Sequence, residues 1–102
     1  MTTYSIRVAL PYHLQTLAKV GSEVTVEVSD PVTYDCVIEA VELAYPMLCG
    51  TIRDHVTKKR RPLLRYFVCS KDVSHEPSDS LLPQAVLNGS EPFIVWGAIA
   101  GG

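Results

Sequence analysis

Paired cysteines, long apolar runs and a charge excess of either sign are all missing from this 102-residue chain, and each absence removes a class of protein. Its three cysteines, Cys36, Cys49 and Cys69, are odd in number and widely spaced, with no C-x-x-C pair and no histidine cluster nearby. They read as neither a disulfide framework nor a zinc site. No stretch approaches the length of a membrane span, and Met1-Thr2-Thr3 leads straight into Tyr4-Ser5-Ile6-Arg7-Val8 without the basic and apolar segments of a secretion signal. The expected compartment is the cytoplasm, with no membrane partner. A net charge of −2 gives no general attraction to nucleic acid or anionic lipid. His13, His55 and His75 share no metal-ligand or triad spacing, so no catalytic constellation, metal site or bound cofactor is expected.

What remains is a chain with 47% hydrophobic residues, enough to bury the core of one compact domain. Residues 5–10 alternate, with Ile6, Val8 and Leu10 on one face. Val24, Val26 and Val28 alternate with Glu23, Thr25 and Glu27 in the cleanest half-buried strand of the sequence. Residues 11–20 between them read as a loop or hairpin connection, ended by Gly21-Ser22. Thr33 is an N-cap candidate, Asp35 stands in the first helical turn, and Val37, Ile38, Val41, Ala44, Tyr45 and Leu48 fall at helical spacing. Glu39 and Glu42 belong to the solvated face, and Pro46 stops the helix. Residues 63–69 read as a third strand, 71–72 as a turn and 81–87 as a short irregular or helical piece. The run Phe93-Ile94-Val95-Trp96 suits a central strand covered on both faces.

After that run come Gly97-Ala98-Ile99-Ala100 and then Gly101-Gly102. Glycines carry no Cβ, so two in succession can thread a narrow crevice and present the Gly102 carboxylate foremost. A carboxylate is a poor electrophile, and chemistry there requires activation, normally as an acyl-adenylate made from ATP by a partner. The dipeptide alone is equally compatible with a frayed end.

The element order, with the last strand central, resembles the ubiquitin-like β-grasp. Val32-Thr33, Val37-Ile38-Glu39-Ala40-Val41-Glu42, Tyr45-Pro46-Met47-Leu48, Ile52-Arg53-Asp54, residues 83–89 and Ala98-Ile99-Ala100-Gly101-Gly102 together resemble the small sulfur-carrier family. That family holds the molybdopterin synthase small subunits and the thiamine-pathway sulfur carriers. The resemblance implies an α+β fold, a mixed sheet of about four to five strands with one main helix on one face over residues 1–97, and a tail at 98–102. It implies a carrier and not an enzyme, acting alone or as the small subunit of a heteromeric sulfurtransferase. An E1-like adenylyltransferase would activate Gly102 with ATP, and a persulfide sulfur would displace AMP to give a thiocarboxylate. The acceptor would be another enzyme or a molybdopterin synthase large subunit. Ala98, Ile99, Ala100 and Gly101 would be gripped in the partner's channel. The chain departs from the family pattern at Cys69-Ser70-Lys71-Asp72, where an Asn-Gly-type turn is usual, at Gly89-Ser90-Glu91-Pro92, and in a longer loop at 73–80.

Lys58-Lys59-Arg60-Arg61, flanked by Arg53, His55 and Arg65, reads first as a solvated loop and second as a docking surface for an acidic partner. Nucleic acid comes last, because only Tyr66 and Phe67 lie nearby and at least one of them belongs in the core. Cys36 and Cys69 read as small core residues and Cys49 as accessible. Two further functions use the same features: a ubiquitin-like modifier joined to lysines through Gly102, and a β-grasp binding module whose tail is idle.

Overall fold

The computed structural model describes residues 2–97. Its strands are β1 (Thr3–Ala9), β2 (Glu23–Ser29), β3 (Leu64–Val68), β4 (Lys71–Asp72) and β5 (Phe93–Gly97). Its helices are α1 (Tyr12–Ala18), α2 (Tyr34–Ala44) and α3 (Gln84–Leu87), with a 3-10 turn at Pro46–Leu48. One sheet runs β2-β1-β5-β3-β4, with β1 and β5 parallel and the other pairs antiparallel. β5 is central, as its continuous apolar run leads one to expect, and the fold is α+β.

Strand alternation builds the core. Ile6 lies opposite Val26 and Val8 opposite Val24, all buried, while β3 adds Leu64, Tyr66 and Val68 and β5 adds Phe93 and Val95. Tyr34, Val37, Ile38 and Val41 of α2 close this face. Each fully buried aliphatic or aromatic side chain of this kind contributes about 1.5–3 kcal/mol relative to exposure. α2 starts as its sequence demands: Thr33 is extended, and its hydroxyl accepts the Cys36 N–H at 3.2 Å. Ala44, expected on the buried stripe, is exposed at the helix end.

Residues 11–20 are not a simple connection, because they contain α1. Pro11 precedes its first turn, where a missing N–H costs no helical hydrogen bond, and its carbonyl accepts from Leu14 and Gln15. Leu14 and Ala18, four residues apart, are buried, and Lys19 closes the helix in the left-handed region at φ 58°. The turn between β3 and β4 also comes two residues earlier than expected. Cys69 and Ser70 occupy it with φ of 50° and 65°, the conformation for which Asn-Gly is usually selected, and Lys71 and Asp72 pair with Val68 and Phe67. Cys69 is therefore exposed, not a core residue.

Candidate functional site

The sequence singles out the segment after Gly97, and the structure describes what surrounds that glycine. Gly97 stands opposite Leu64, Trp96 opposite Arg65 and Ile94 opposite Phe67. A Cβ at position 97 would overlap Leu64 Cδ2 and lie 3.4 Å from His13 Cε1 and 3.7 Å from Pro11 Cγ. Only glycine fits without displacing a buried leucine. Gly102 and the tail residues Ala98, Ile99, Ala100 and Gly101 lie outside the described residues.

β5 is covered on one face only, contrary to the reading of its continuous apolar run. Phe93 and Val95 point into the core, whereas Ile94 is half-buried and Trp96 is 56% exposed on the outer face. With Phe67 and Ser70 they line a shallow apolar depression of about 290 Å³. The helices lie on the other side, and among the described residues no element covers it. Arg65 flanks it, paired with Asp72 at 3.2 Å. Sequence reasoning missed this patch, yet a signal was present: in Phe93-Ile94-Val95-Trp96 the alternate residues must face opposite ways.

The basic run divides by residue type. Lys58 and Lys59 are exposed, on a loop closed by Asp54, whose carboxylate accepts the N–H groups of Thr57 and Val56, each at 2.8 Å. Those donors hold the Asp54 carboxyl below its ordinary range. Arg60 is half-buried, donating to the carbonyls of Ser74 at 3.2 Å, Arg61 at 3.1 Å and Leu64. Arg61 donates to Gly50 O at 2.8 Å. The solvated-loop reading thus fits the lysines, while both arginines tie backbone segments together.

Arg53 and Glu42 are misplaced by sequence reasoning. Glu42 is only 9% exposed and Arg53 only 4%, and they meet with Arg53 Nη2 2.9 Å from Glu42 Oε1. Asp35, two helical turns before Glu42, receives the other arm of Arg53 at 3.4 Å. Burial works to lower the Arg53 pKa, but the hydrogen bonds and charge of Glu42, with Asp35 and Glu39, outweigh it and leave it raised. The pair straps the 51–54 segment onto α2. One contact joins residues that the sequence separated: Cys49 Sγ lies 3.2 Å from His55 Nδ1, both exposed. Among the described residues no group of three or more metal-ligating side chains converges, and no helix is long and apolar enough to cross a membrane.

No family model and no curated protein matches the sequence. Solved structures do. SAMP1 from Haloferax volcanii is 14% identical with a TM-score of 0.74, over 96% of this chain and 99% of that one. The small archaeal modifier protein 1 from Methanosarcina acetivorans is 15% identical with a TM-score of 0.71, over 100% of both chains. A chain of the BexX/CysO complex from Amycolatopsis orientalis is 18% identical with a TM-score of 0.70, over 94% of this chain and 98% of that one. At these identities the likeness establishes the fold, a ubiquitin-like β-grasp, and the resemblance seen in the sequence is borne out at that level.

Proposed function

We propose that this chain is a ubiquitin-like sulfur carrier of the cytoplasm, a substrate of other enzymes and not a catalyst. The observation that carries the reading is the position of β5. The central strand hands the chain to residues 98–102 at Gly97, directly beside the uncovered Phe67, Ile94 and Trp96. An activating enzyme seated on that patch has the tail within reach of its own active site. With ATP it adenylates the Gly102 carboxylate and releases pyrophosphate. The terminal sulfur of a donor persulfide displaces AMP, and a second thiol reduces the resulting acyl disulfide to free a thiocarboxylate. Ala98 to Gly102 offer no nucleophilic side chain to capture the activated acyl group. Molybdopterin synthase or another sulfur-accepting enzyme would then take the sulfur.

The names of the Haloferax and Methanosarcina neighbours favour a second reading, a modifier joined through Gly102 to lysines of other proteins. Mass spectrometry of the C-terminal peptide after incubation with ATP, the activating enzyme and a persulfide donor separates the two. Exchange of one oxygen for sulfur at Gly102 supports carriage. Lysine adducts without a sulfur-bearing terminus support modification.

A further inference from the structure

A cleft of about 540 Å³ opens between the start of α2, the 57–60 loop and the 74–78 loop, away from the surface invoked for sulfur carriage. Tyr34, Lys58, Lys59, Arg60, Tyr66 and Ser74 line it. Its volume lies in the range of small-molecule sites, roughly 300–1,000 Å³. Asp35 and Glu76 also reach it, but their charges are engaged. Asp35 meets Arg53 at 3.4 Å, while Glu76 accepts the Tyr34 hydroxyl at 2.9 Å and faces Lys71 Nζ at 3.6 Å. The guanidinium of Arg60 donates only to carbonyls, and among the described residues neither Lys58 nor Lys59 joins an ion pair. The uncompensated charge of the cleft is therefore positive.

Tyr66 supplies the second, independent observation. Its ring packs on Phe93 with centroids 5.2 Å apart, and the residue is only 8% exposed. Its amide donates to Ser74 Oγ, yet among the described residues its hydroxyl has no hydrogen-bond partner. No fully enclosed side-chain oxygen or nitrogen there lacks one, so Tyr66 Oη must be reached from the cleft. The residue is largely buried while its hydroxyl opens to the cleft, so the phenol is placed to donate to an acceptor that enters there. Burial pushes its pKa up to about 12, the positive fields of Arg53 and Arg60 opposing this and the negative fields of Asp35 and Glu42 adding to it, so it remains a phenol at ordinary pH.

We propose that this cleft binds a small molecule through an oxyanion, a phosphate or a carboxylate, held by Tyr66 Oη and the ammonium groups of Lys58 and Lys59. A broad protein surface would meet the lysines at the rim, whereas only a small group reaches a phenol packed against the core. The test is an amide-resolved NMR titration with sodium phosphate and, separately, sodium succinate, each against sodium chloride at matched ionic strength. Saturable shifts confined to residues 57–60, 66 and 74–78 are expected with at least one oxyanion, and the one that saturates identifies the chemistry. Tyr66→Phe keeps the ring on Phe93 and should weaken that binding at least tenfold, as a hydrogen bond to a charged group requires. Shifts equal to those of chloride, or a folded Tyr66→Phe protein that binds as tightly as the parent, overturn the proposal. Should Tyr66→Phe fail to fold, the double variant Lys58→Gln/Lys59→Gln decides, because undiminished affinity there overturns it equally.

Discussion

On the β2–β1 half of the outer sheet face, side chains are paired across strands. Arg7 meets Glu23 at 2.9 Å, Ser5 donates to Glu27 at 3.0 Å, and Thr3 lies 3.4 Å from Ser29. On the β5–β3 half, Phe67, Ile94 and Trp96 lie together, with Arg65 drawn aside to Asp72. Backbone pairing is continuous across both halves, so the difference is one of side chains alone. One half is complete in water, and the other leaves apolar area that none of the described residues covers. Contiguous apolar surface of this kind marks interaction sites more often than isolated exposed residues do.

The comparison can be pressed from several sides. The largest effect should come from beneath the sheet, where polar pairing is buried and not exposed as in Arg7–Glu23. Arg53→Ala would leave Glu42 charged and enclosed, and chemical denaturation should show a loss of about 3–5 kcal/mol. Next, the apolar half should carry function without carrying stability. Trp96→Asp should lower ATP–pyrophosphate exchange by the cognate activating enzyme roughly 100-fold, the scale of an interface hot spot. Its denaturation midpoint should barely move. The matching Thr25→Asp on the polar half should leave exchange unchanged, and equal losses from both would erase the distinction between the halves.

A pH titration sharpens the contrast between inside and outside. Burial, with Glu76 as hydrogen-bond partner and neighbouring charge, pushes Tyr34 up to about 12, and burial does the same for Tyr66, against an ordinary value of 10.0. Because the folded state holds these protons more tightly, their stabilising contribution is intact below pH 10.0 and is lost as pH rises towards about 12. Phenolate absorbance should show two tyrosines ionising late, and Tyr66→Phe should remove one of them. The smallest effect belongs to the exposed pair: Arg7→Ala should shift the midpoint of the same denaturation assay far less than Arg53→Ala does.

The sequence made plain those features that repeat or that close locally. Val24, Val26 and Val28 announce their face by alternation, and Thr33 caps a helix through an atom three residues away. The order of the main elements and the extent of α2 come from such signals, whereas the fold class comes from the resemblance and the central last strand from its continuous apolar run. Helix α1 escaped because its seven residues bury only Leu14 and Ala18, too few for a period to register, and because Pro11 reads as a stop when it stands at a start. The site was harder to see for a different reason. Arg53 and Glu42 lie eleven positions apart, and no pattern along the chain says that a helix face will be capped by a later arginine. Neither does the sequence tell whether a fourfold basic run is uniform. The chain ties both arginines to backbone carbonyls, Arg60 half-buried and Arg61 at the surface, and among the described residues leaves its lysine side chains free of such contacts.

The overlap that a side chain at position 97 would make with Leu64 has a geometric corollary. Leu64, His13 and Pro11 close around this residue, so Gly97 is a fixed pivot from which the reach of the tail can be measured. Five residues separate that pivot from the end of Gly102, and their covalent length sets a radius of at most about 17 Å. Any catalytic centre that acts on Gly102 while its owner rests on Trp96 must lie inside that sphere. Moving the pivot, by forcing a methyl group in at position 97, would shift the sphere and misalign partners that had been fitted to it.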